Sequence, residues 1–184
     1  MFKFIIPAFI LIGSQFSAQV IIGSGKTTPS GNAVSLEFGT EAKGMVLPFV
    51  ISAAEVDAHA NDLGGGTGNA VPGTLIFDSQ DFRIKVRRLS GWQDLSIIED
   101  VKANLTIQNP FTEDLKAKVS IGSPTAAKVN GILVLEDSNK AMILPTVTNT
   151  DEIVNPSAGM MVYVEGASKK TVAFFNGTSW TYWE

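Results

Sequence analysis

Short apolar runs bounded by turn-forming residues follow one another along this chain from residue 20 onward. The runs are rich in Val, Ile, Phe and Met, and Gly, Pro, Asn or Ser separates them, which is the pattern of β-strands. In residues 82–87 apolar and basic side chains alternate with the period of two that a half-buried strand requires. The pattern predicts a mostly β fold. The alternating apolar positions are Phe82, Ile84 and Val86, and the basic ones are Arg83, Lys85 and Arg87.

Turn and breaker residues refine these strands. Asn176-Gly177 lies between aromatic residues and favours a tight hairpin, because both residues tolerate positive φ. Pro48 and Pro145 fall inside apparent strands. Proline cannot donate a ladder hydrogen bond, so we expect those strands to lie at an edge or to end at a bulge.

The apolar runs recur in the same order in two parts of the chain, which is the signature of an internal repeat. We therefore expect two tandem β-rich modules with similar folds, in which Trp92 corresponds to Trp180. The matched segments are 20–24 with 119–123, 33–38 with 132–136, 43–48 with 140–145, 72–77 with 156–163, and Trp92 and Leu95 with Trp180 and Trp183.

The repeat divides the chain into module one at residues 19–95, an interdomain segment at 96–118 that includes a strand at 104–108, and module two at 119–184. Each module has room for one short helical turn. Ser52 and Glu55 have the spacing of a capping box, and Thr148 with Asp151 forms a weaker version. Modules of this size bury only about 60% of their unfolded surface, so packing between modules or self-association should add stability.

The N-terminal residues predict export. Lys3 precedes an apolar stretch at residues 4–12, and the small residues Ser17 and Ala18 follow. As a helix this stretch is about 14 Å long, too short for a hydrocarbon core of about 30 Å. We expect residues 1–18 to be a signal peptide and the protein to be secreted, periplasmic or on the cell surface. No later segment is long and apolar enough to span a membrane.

Composition removes several classes of function. The chain contains no cysteine, which excludes disulfides, thiol catalysis, cysteine zinc sites and a lipid anchor on cysteine. Its formal net charge is −4, and an acidic chain repels nucleic-acid backbones. The sequence therefore favours no nucleic-acid partner.

Three motifs suggest catalysis or nucleotide binding, but none is complete. The segment Gly23-Ser24-Gly25-Lys26-Thr27 resembles the end of a phosphate-binding loop, but Val20 stands where the pattern requires its first glycine. His59 is the only histidine, and no nucleophile motif accompanies it. Adjacent acids occur at residues 99–100, 113–114 and 151–152, and neighbouring strand residues point to opposite faces. We expect no catalytic residue, no metal site and no cofactor.

The repeated segments resemble a module in uncharacterised secreted proteins of Gram-negative bacteria, and they are also similar to modules of phage tail-fibre proteins. The resemblance covers most of the chain after residue 18 and is stronger in 119–183 than in 20–95. It implies an exported, β-rich, fibre-like accessory role and carries over no catalytic residues. The segments that carry it are 43–48, 140–145, Gly159-Met160-Met161-Val162-Tyr163 and Phe175-Asn176-Gly177-Thr178-Ser179-Trp180.

Two candidate binding features remain. The basic residues Arg83, Lys85 and Arg87 should project from one face of a strand and could contact an anionic polysaccharide, although a solvated strand face that deters edge pairing is the alternative. Tyr182 corresponds to Asp94 in module one and is expected to face outward, whereas Trp180 and Trp183 are expected in the core.

The leading hypothesis is a secreted or cell-surface, non-catalytic binding or structural protein that forms a homo-oligomer. The alternatives are a secreted polysaccharide hydrolase that uses paired carboxylates, and a subunit of an envelope or fibre assembly with an envelope protein as partner.

Overall fold

A computed structural model describes residues 19–60, 69–97, 119–122, 131–166 and 170–183. The described residues form several small sheets with one α-helix, so the predicted mostly β class is confirmed. The expected signal peptide, the glycine-rich segment 61–68 and the strand expected at 104–108 lie outside the described residues. The strands are β1 Val20–Ile22, β2 Val34–Phe38, β3 Met45–Val46, β4 Phe49–Val50, β5 Leu75–Asp78, β6 Arg83–Arg88, β7 Gly91–Asp94, β8 Val119–Ile121, β9 Leu133–Leu135, β10 Ala141–Met142, β11 Thr146–Val147, β12 Met160–Glu165, β13 Lys170–Phe175 and β14 Trp180–Trp183.

Two four-stranded units have the same internal arrangement. Strand β4 pairs parallel with β5, and β5, β6 and β7 continue as an antiparallel meander. Strands β11 to β14 repeat this order and these directions. Even single hydrogen bonds correspond, because Phe77 N–H donates to Pro48 C=O over 2.9 Å and Tyr163 N–H donates to Pro145 C=O over 2.8 Å.

The two prolines mark places where the chain changes sheets. Pro48 separates β3 from β4, and Pro145 separates β10 from β11. Strand β3 pairs antiparallel with β12, whereas β4 pairs with β5 in its own unit. Each apparent strand is thus divided in two at its proline, and proline's missing N–H explains why neither ladder continues through it.

The strands that begin the two halves also correspond. Strand β1 pairs parallel with β2, and β8 pairs parallel with β9. The first ladder ends where Gly39 N–H donates to Ile22 C=O over 2.8 Å, and the second where Glu136 N–H donates to Ile121 C=O over 2.9 Å. They differ on the other edge, because β2 also pairs with β10 and the described residues place no strand there on β9.

The helical turns follow the capping chemistry only in part. Helix α1, Ala53–His59, begins after Ser52, whose side chain accepts a hydrogen bond from Glu55 N–H over 3.2 Å as the capping box predicts. In the second half a 3₁₀ turn spans Thr150–Glu152. The cap expected at Thr148 is wrong, because the Asn149 side chain accepts from Asp151 N–H over 3.2 Å. Asparagine is among the preferred capping residues, and here it stands directly before the turn.

The predicted hairpin between β13 and β14 is present, but its turn is longer than a two-residue Asn-Gly turn. Phe175 and Trp180 are the last cross-strand partners, so residues 176–179 form the loop. The buried Asn176 side chain accepts from Thr178 N–H and Ser179 N–H, each over 2.9 Å. Gly177 adopts a φ of +112°. The asparagine therefore acts as a local hydrogen-bond acceptor for the loop backbone.

Two apolar clusters organise the core. One packs on β12 and β13, with Trp180 and Tyr182 against it. The other combines residues of both halves, namely Leu47, Phe77, Ile84, Met161 and Phe174. Trp183 is 51% exposed, so its expected place in the core is wrong. In the part of the chain that the structure describes, no helix is long and apolar enough to cross a membrane.

Candidate functional site

The basic residues Arg83, Lys85 and Arg87 lie along β6, as the alternation predicts. Each of them has a carboxylate partner. Arg83 pairs with Asp94, and the guanidinium of Arg87 lies 3.5 Å from the Asp57 carboxylate. The positive charges of these three side chains are therefore compensated within the folded chain.

Lys85 is the centre of the charge network. Its ammonium group contacts Asp81 and lies 3.3 Å from Asp94 and 3.7 Å from Asp78. Burial lowers the pKa of Lys85, but the hydrogen bond to Asp81 and the three nearby carboxylates outweigh it, so the pKa stands above its usual value. Three acids around one lysine are a satisfied ion cluster rather than a set of free catalytic carboxylates.

Asp57 connects helix α1 to strands β6 and β7. Its carboxylate accepts hydrogen bonds from Trp92 Nε1–H over 3.0 Å and from Ala70 N–H over 2.7 Å. The Arg87 guanidinium lies 6.0 Å from the centre of the Trp92 ring, at the limit of a cation–π contact. The Asp57 carboxylate of helix α1 therefore contacts Ala70 before β5, Arg87 on β6 and Trp92 on β7.

We predict that Asp57→Asn lowers the free energy of unfolding by about 1–2 kcal/mol, because a charge-assisted hydrogen bond and the ion pair with Arg87 are lost while the side-chain shape is kept. Chemical denaturation followed by tryptophan fluorescence measures the change. The exposed Glu152, changed to Gln, is the matched control and should be nearly neutral. Equal stability of Asp57→Asn and the parent protein would contradict this role of Asp57.

These contacts bear on the anion-binding hypothesis. Side chains that already pair with carboxylates offer little free positive charge to an acidic polymer, so the geometry favours a structural role for Arg83, Lys85 and Arg87. Binding of an anionic polysaccharide by this strand stays a prediction. Tyr182 is half-buried, and its hydroxyl lies 2.9 Å from Thr150 Oγ1, so it does not face outward as expected.

The segment that resembles a phosphate-binding loop has another use for its lysine. Lys26 forms an ion pair with Glu37, whose side chain is buried on β2. Glu37 also accepts from Ser30 N–H over 2.8 Å and from Ser30 Oγ–H over 2.7 Å. Burial raises the pKa of Glu37, but the hydrogen bonds from Lys26 and Ser30 outweigh it, and the net pKa lies below its ordinary value of 4.5.

This depressed pKa makes a prediction about acid stability. The ionised Glu37 stabilises the folded state above the ordinary carboxylate pKa, and that contribution is lost as the pH falls through the lower pKa of the folded state. Glu37→Gln should therefore destabilise the protein at neutral pH and should differ less from the parent at about pH 3. Thermal unfolding of both proteins at the two pH values measures this, and a difference that does not change with pH would contradict it.

The remaining catalytic candidates do not assemble. His59 is 60% exposed at the side chain, and its Nδ1 lies 2.9 Å from the carbonyl oxygen of Glu55. Asp151 and Glu152 are exposed on the 3₁₀ turn, and the acidic pairs at 99–100 and 113–114 lie outside the described residues. Among the residues that the structure describes, no group of three or more metal-ligating side chains could hold a metal ion.

The most extensive feature that sequence reasoning missed is the contact between the two halves, which we call the seam. It consists of β3 paired antiparallel with β12, and β10 paired parallel with β2. In the first ladder Met45 faces Met161, Val46 faces Met160, and Leu47 N–H donates to Gly159 C=O over 3.0 Å. The halves therefore share sheets instead of only packing side chains.

Two glycines allow the strands of the seam to approach. A Cβ at Gly44 would lie 2.3 Å from Met160 Cγ and 2.7 Å from its Sδ, closer than carbon atoms tolerate. Gly159 has a φ of +75°, and a Cβ there would lie 3.2 Å from Phe77 Cβ. The repeated Lys-Gly/Ala-Met segments at 43–45 and 140–142 were the available signal, because they are the segments that cross between the halves.

Residues 120–184 match the family model described as phage tail like trimerisation region. The match leaves residues 1–119 outside it, and it supports the similarity to phage tail-fibre modules for residues 120–184. Neither the curated proteins nor the solved structures include a match to this chain.

Proposed function

We propose that this chain is an exported, non-catalytic structural protein that assembles from three identical copies into a fibre-like body. The observation that carries the proposal is the seam, in which strands of one half complete the sheets of the other. Strand addition at a sheet edge supplies many main-chain hydrogen bonds and is a recurrent mode of protein association. The match of residues 120–184 to a trimerisation region supports three chains as the number of copies.

A structural role also accounts for the polar residues of the described chain. Lys26 forms an ion pair with Glu37, and Lys85 lies among three carboxylates, so both lysines stabilise the fold and neither is available to bind a ligand. Among the described residues, the acidic side chains that come together surround the ammonium group of Lys85, so they do not favour the polysaccharide hydrolase. Export to a secreted, periplasmic or cell-surface location is supported by the N-terminal sequence and by the resemblance of the repeated segments to secreted proteins.

The mass of the assembled protein in solution tests the proposal. Native mass spectrometry and sedimentation equilibrium of the chain that begins at Gln19 should give three times the mass of one chain over a wide range of concentrations. A single-chain mass at concentrations well above the micromolar range would overturn the proposed assembly. Intact mass of the protein recovered from the exporting cell tests the loss of residues 1–18, and retention of Met1 would overturn export by this route.

A further inference from the structure

The seam joins the two halves in a head-to-tail manner. If a twofold axis related the halves, β10 would pair with β5 as β3 pairs with β12, since β10 corresponds to β3 and β5 to β12. Within the described residues β10 forms no ladder with β5; it pairs with β2 along one edge, and its other edge, to which the main-chain groups of Met142 point, is the one that corresponds to the edge of β3 on β12. A head-to-tail contact joins two different surfaces. Because each half carries both kinds of surface, a single seam between the halves leaves one surface of each kind open.

The first unfilled surface is the edge of β5. Phe77 N–H donates from this edge to Pro48 C=O, and main-chain groups alternate along a strand, so the N–H and C=O of Leu75 point to the same edge. Met161, which corresponds to Leu75, pairs at that position with Met45. Gly73 adopts a positive φ as Gly159 does, but Gly73 is exposed and has nothing within 4 Å of its Cβ direction. The site that receives β3 in the second half is thus present in the first, and no strand of the described residues pairs with it there.

The second unfilled surface is the free edge of β9. Leu36 on β2 pairs with Met142 and is 0% exposed. Its counterpart Leu133 occupies the same place in the ladder with β8 and is 43% exposed. The difference follows from β10, which covers β2, whereas no described strand covers β9 on that side.

Side-chain sizes at the open site match the strand that would fill it. In the observed seam the small Gly44 faces the long side chain of Met160. At the corresponding positions Ala141 replaces Gly44 and the shorter Thr74 replaces Met160. A larger residue on one strand therefore meets a smaller one on the other, which keeps the packed volume similar.

We propose that a second copy of this chain fills both open edges by repeating the seam between molecules. Strand β10 of one molecule pairs antiparallel with β5 of the next, with Met142 opposite Leu75 and Ile143 opposite Thr74. Strand β3 of that next molecule covers β9 of the first, with Met45 opposite Leu133. This inference rests on the proposed assembly and specifies its surfaces and its head-to-tail direction.

Cysteine cross-linking tests the contact. Because the chain has no native cysteine, a disulfide can form only between the introduced residues. Thr74 and Ile143 would form a non-hydrogen-bonded antiparallel pair, in which Cα atoms are about 4.5 Å apart, within the reach of a disulfide. We expect a mixture of Thr74→Cys and Ile143→Cys chains to give a disulfide-linked pair of chains under mild oxidation, whereas neither variant alone does so. Val46→Cys with Met160→Cys in one chain is the matched control for the observed seam and should close within the molecule.

Other outcomes overturn the inference in distinguishable ways. Cross-linking of Thr74→Cys or Ile143→Cys to itself would indicate a twofold contact. Cross-linking between Thr74→Cys and Val46→Cys chains would indicate that β3 of one molecule pairs with β5 of another, so that the first halves of different molecules contact each other. A three-chain mass without a mixed cross-link would leave the proposed assembly standing and reject these surfaces, whereas a single-chain mass would reject both. If one variant does not fold, the pair Met45→Cys and Leu133→Cys tests the second edge with the same expected result.

Discussion

Replacing Phe77 by alanine is expected to lower the free energy of unfolding by about 3–5 kcal/mol, the range for a fully buried phenylalanine. Phe77 is 0% exposed, and its ring centre lies 4.7 Å from that of the tilted Phe49 ring. It also lies against Gly159 of the other half. Its cluster contains Met161 and Phe174, so the cavity would open between the halves. A loss of this size is a large fraction of the usual stability of a domain.

Calorimetry and denaturant titration measure this loss and also show whether the halves unfold together. Because the cluster is shared, we expect the parent and Phe77→Ala each to unfold in a single transition, with the variant at lower temperature. Leu89→Ala is the control, since Leu89 is 92% exposed and its removal should change stability by less than about 0.5 kcal/mol. Two separate transitions in Phe77→Ala, with the second unchanged from the parent, would contradict the shared core.

Changing Gly44 to valine should be the next most damaging substitution, at about 2–3 kcal/mol. The new Cβ would lie 2.3 Å from Met160 Cγ and 2.9 Å from Val162 Cγ1, and Val162 is fully buried. Met160 can move only by leaving its own cluster on β12 and β13. The expected result is therefore separation of β3 from β12 as well as lower stability.

Gly31→Val is the matched control, because a Cβ at Gly31 meets nothing within 4 Å. It should be nearly neutral in the same denaturation experiment. Limited proteolysis provides a second measurement, since β3 released from the seam becomes a better substrate than β3 in the parent. Equal stability and equal proteolysis of the two glycine variants would show that the close approach of β3 and β12 does not constrain residue 44.

The local features of this fold were predictable because their causes are local. The alternation along residues 83–88, the Ser52 cap of α1 and the interruptions at Pro48 and Pro145 each depend on neighbouring residues. The ion pair between Lys85 and Asp94 could have been found with the same information, since the two residues lie opposite each other on adjacent strands of one meander.

The repeated segments at 43–45 and 140–142 could have indicated which strands form the seam, but not the sheet edges with which those strands pair. Nothing in the two residues of β3 distinguishes β12 from β5 as a partner, because both edges present the same main-chain groups. Whether β3 pairs with β12 or with β5 depends on which of these two edges lies next to it, and so on the tertiary packing around Leu47 and Phe77. For the same reason Trp183 was misplaced, since its counterpart Leu95 packs against the shared cluster whereas Trp183 is half exposed.

Hydrogen–deuterium exchange resolved at single amides, on the assembled protein, tests most directly whether other copies complete the open sheet edges. Leu75 N–H points to the open edge of β5, and its counterpart Met161 lies in the observed ladder with β3. We predict that Leu75 exchanges as slowly as Met161 in the assembly and becomes faster on dilution into separate chains. Rapid exchange at Leu75 in a protein whose Met161 stays protected, at every concentration, would contradict the account.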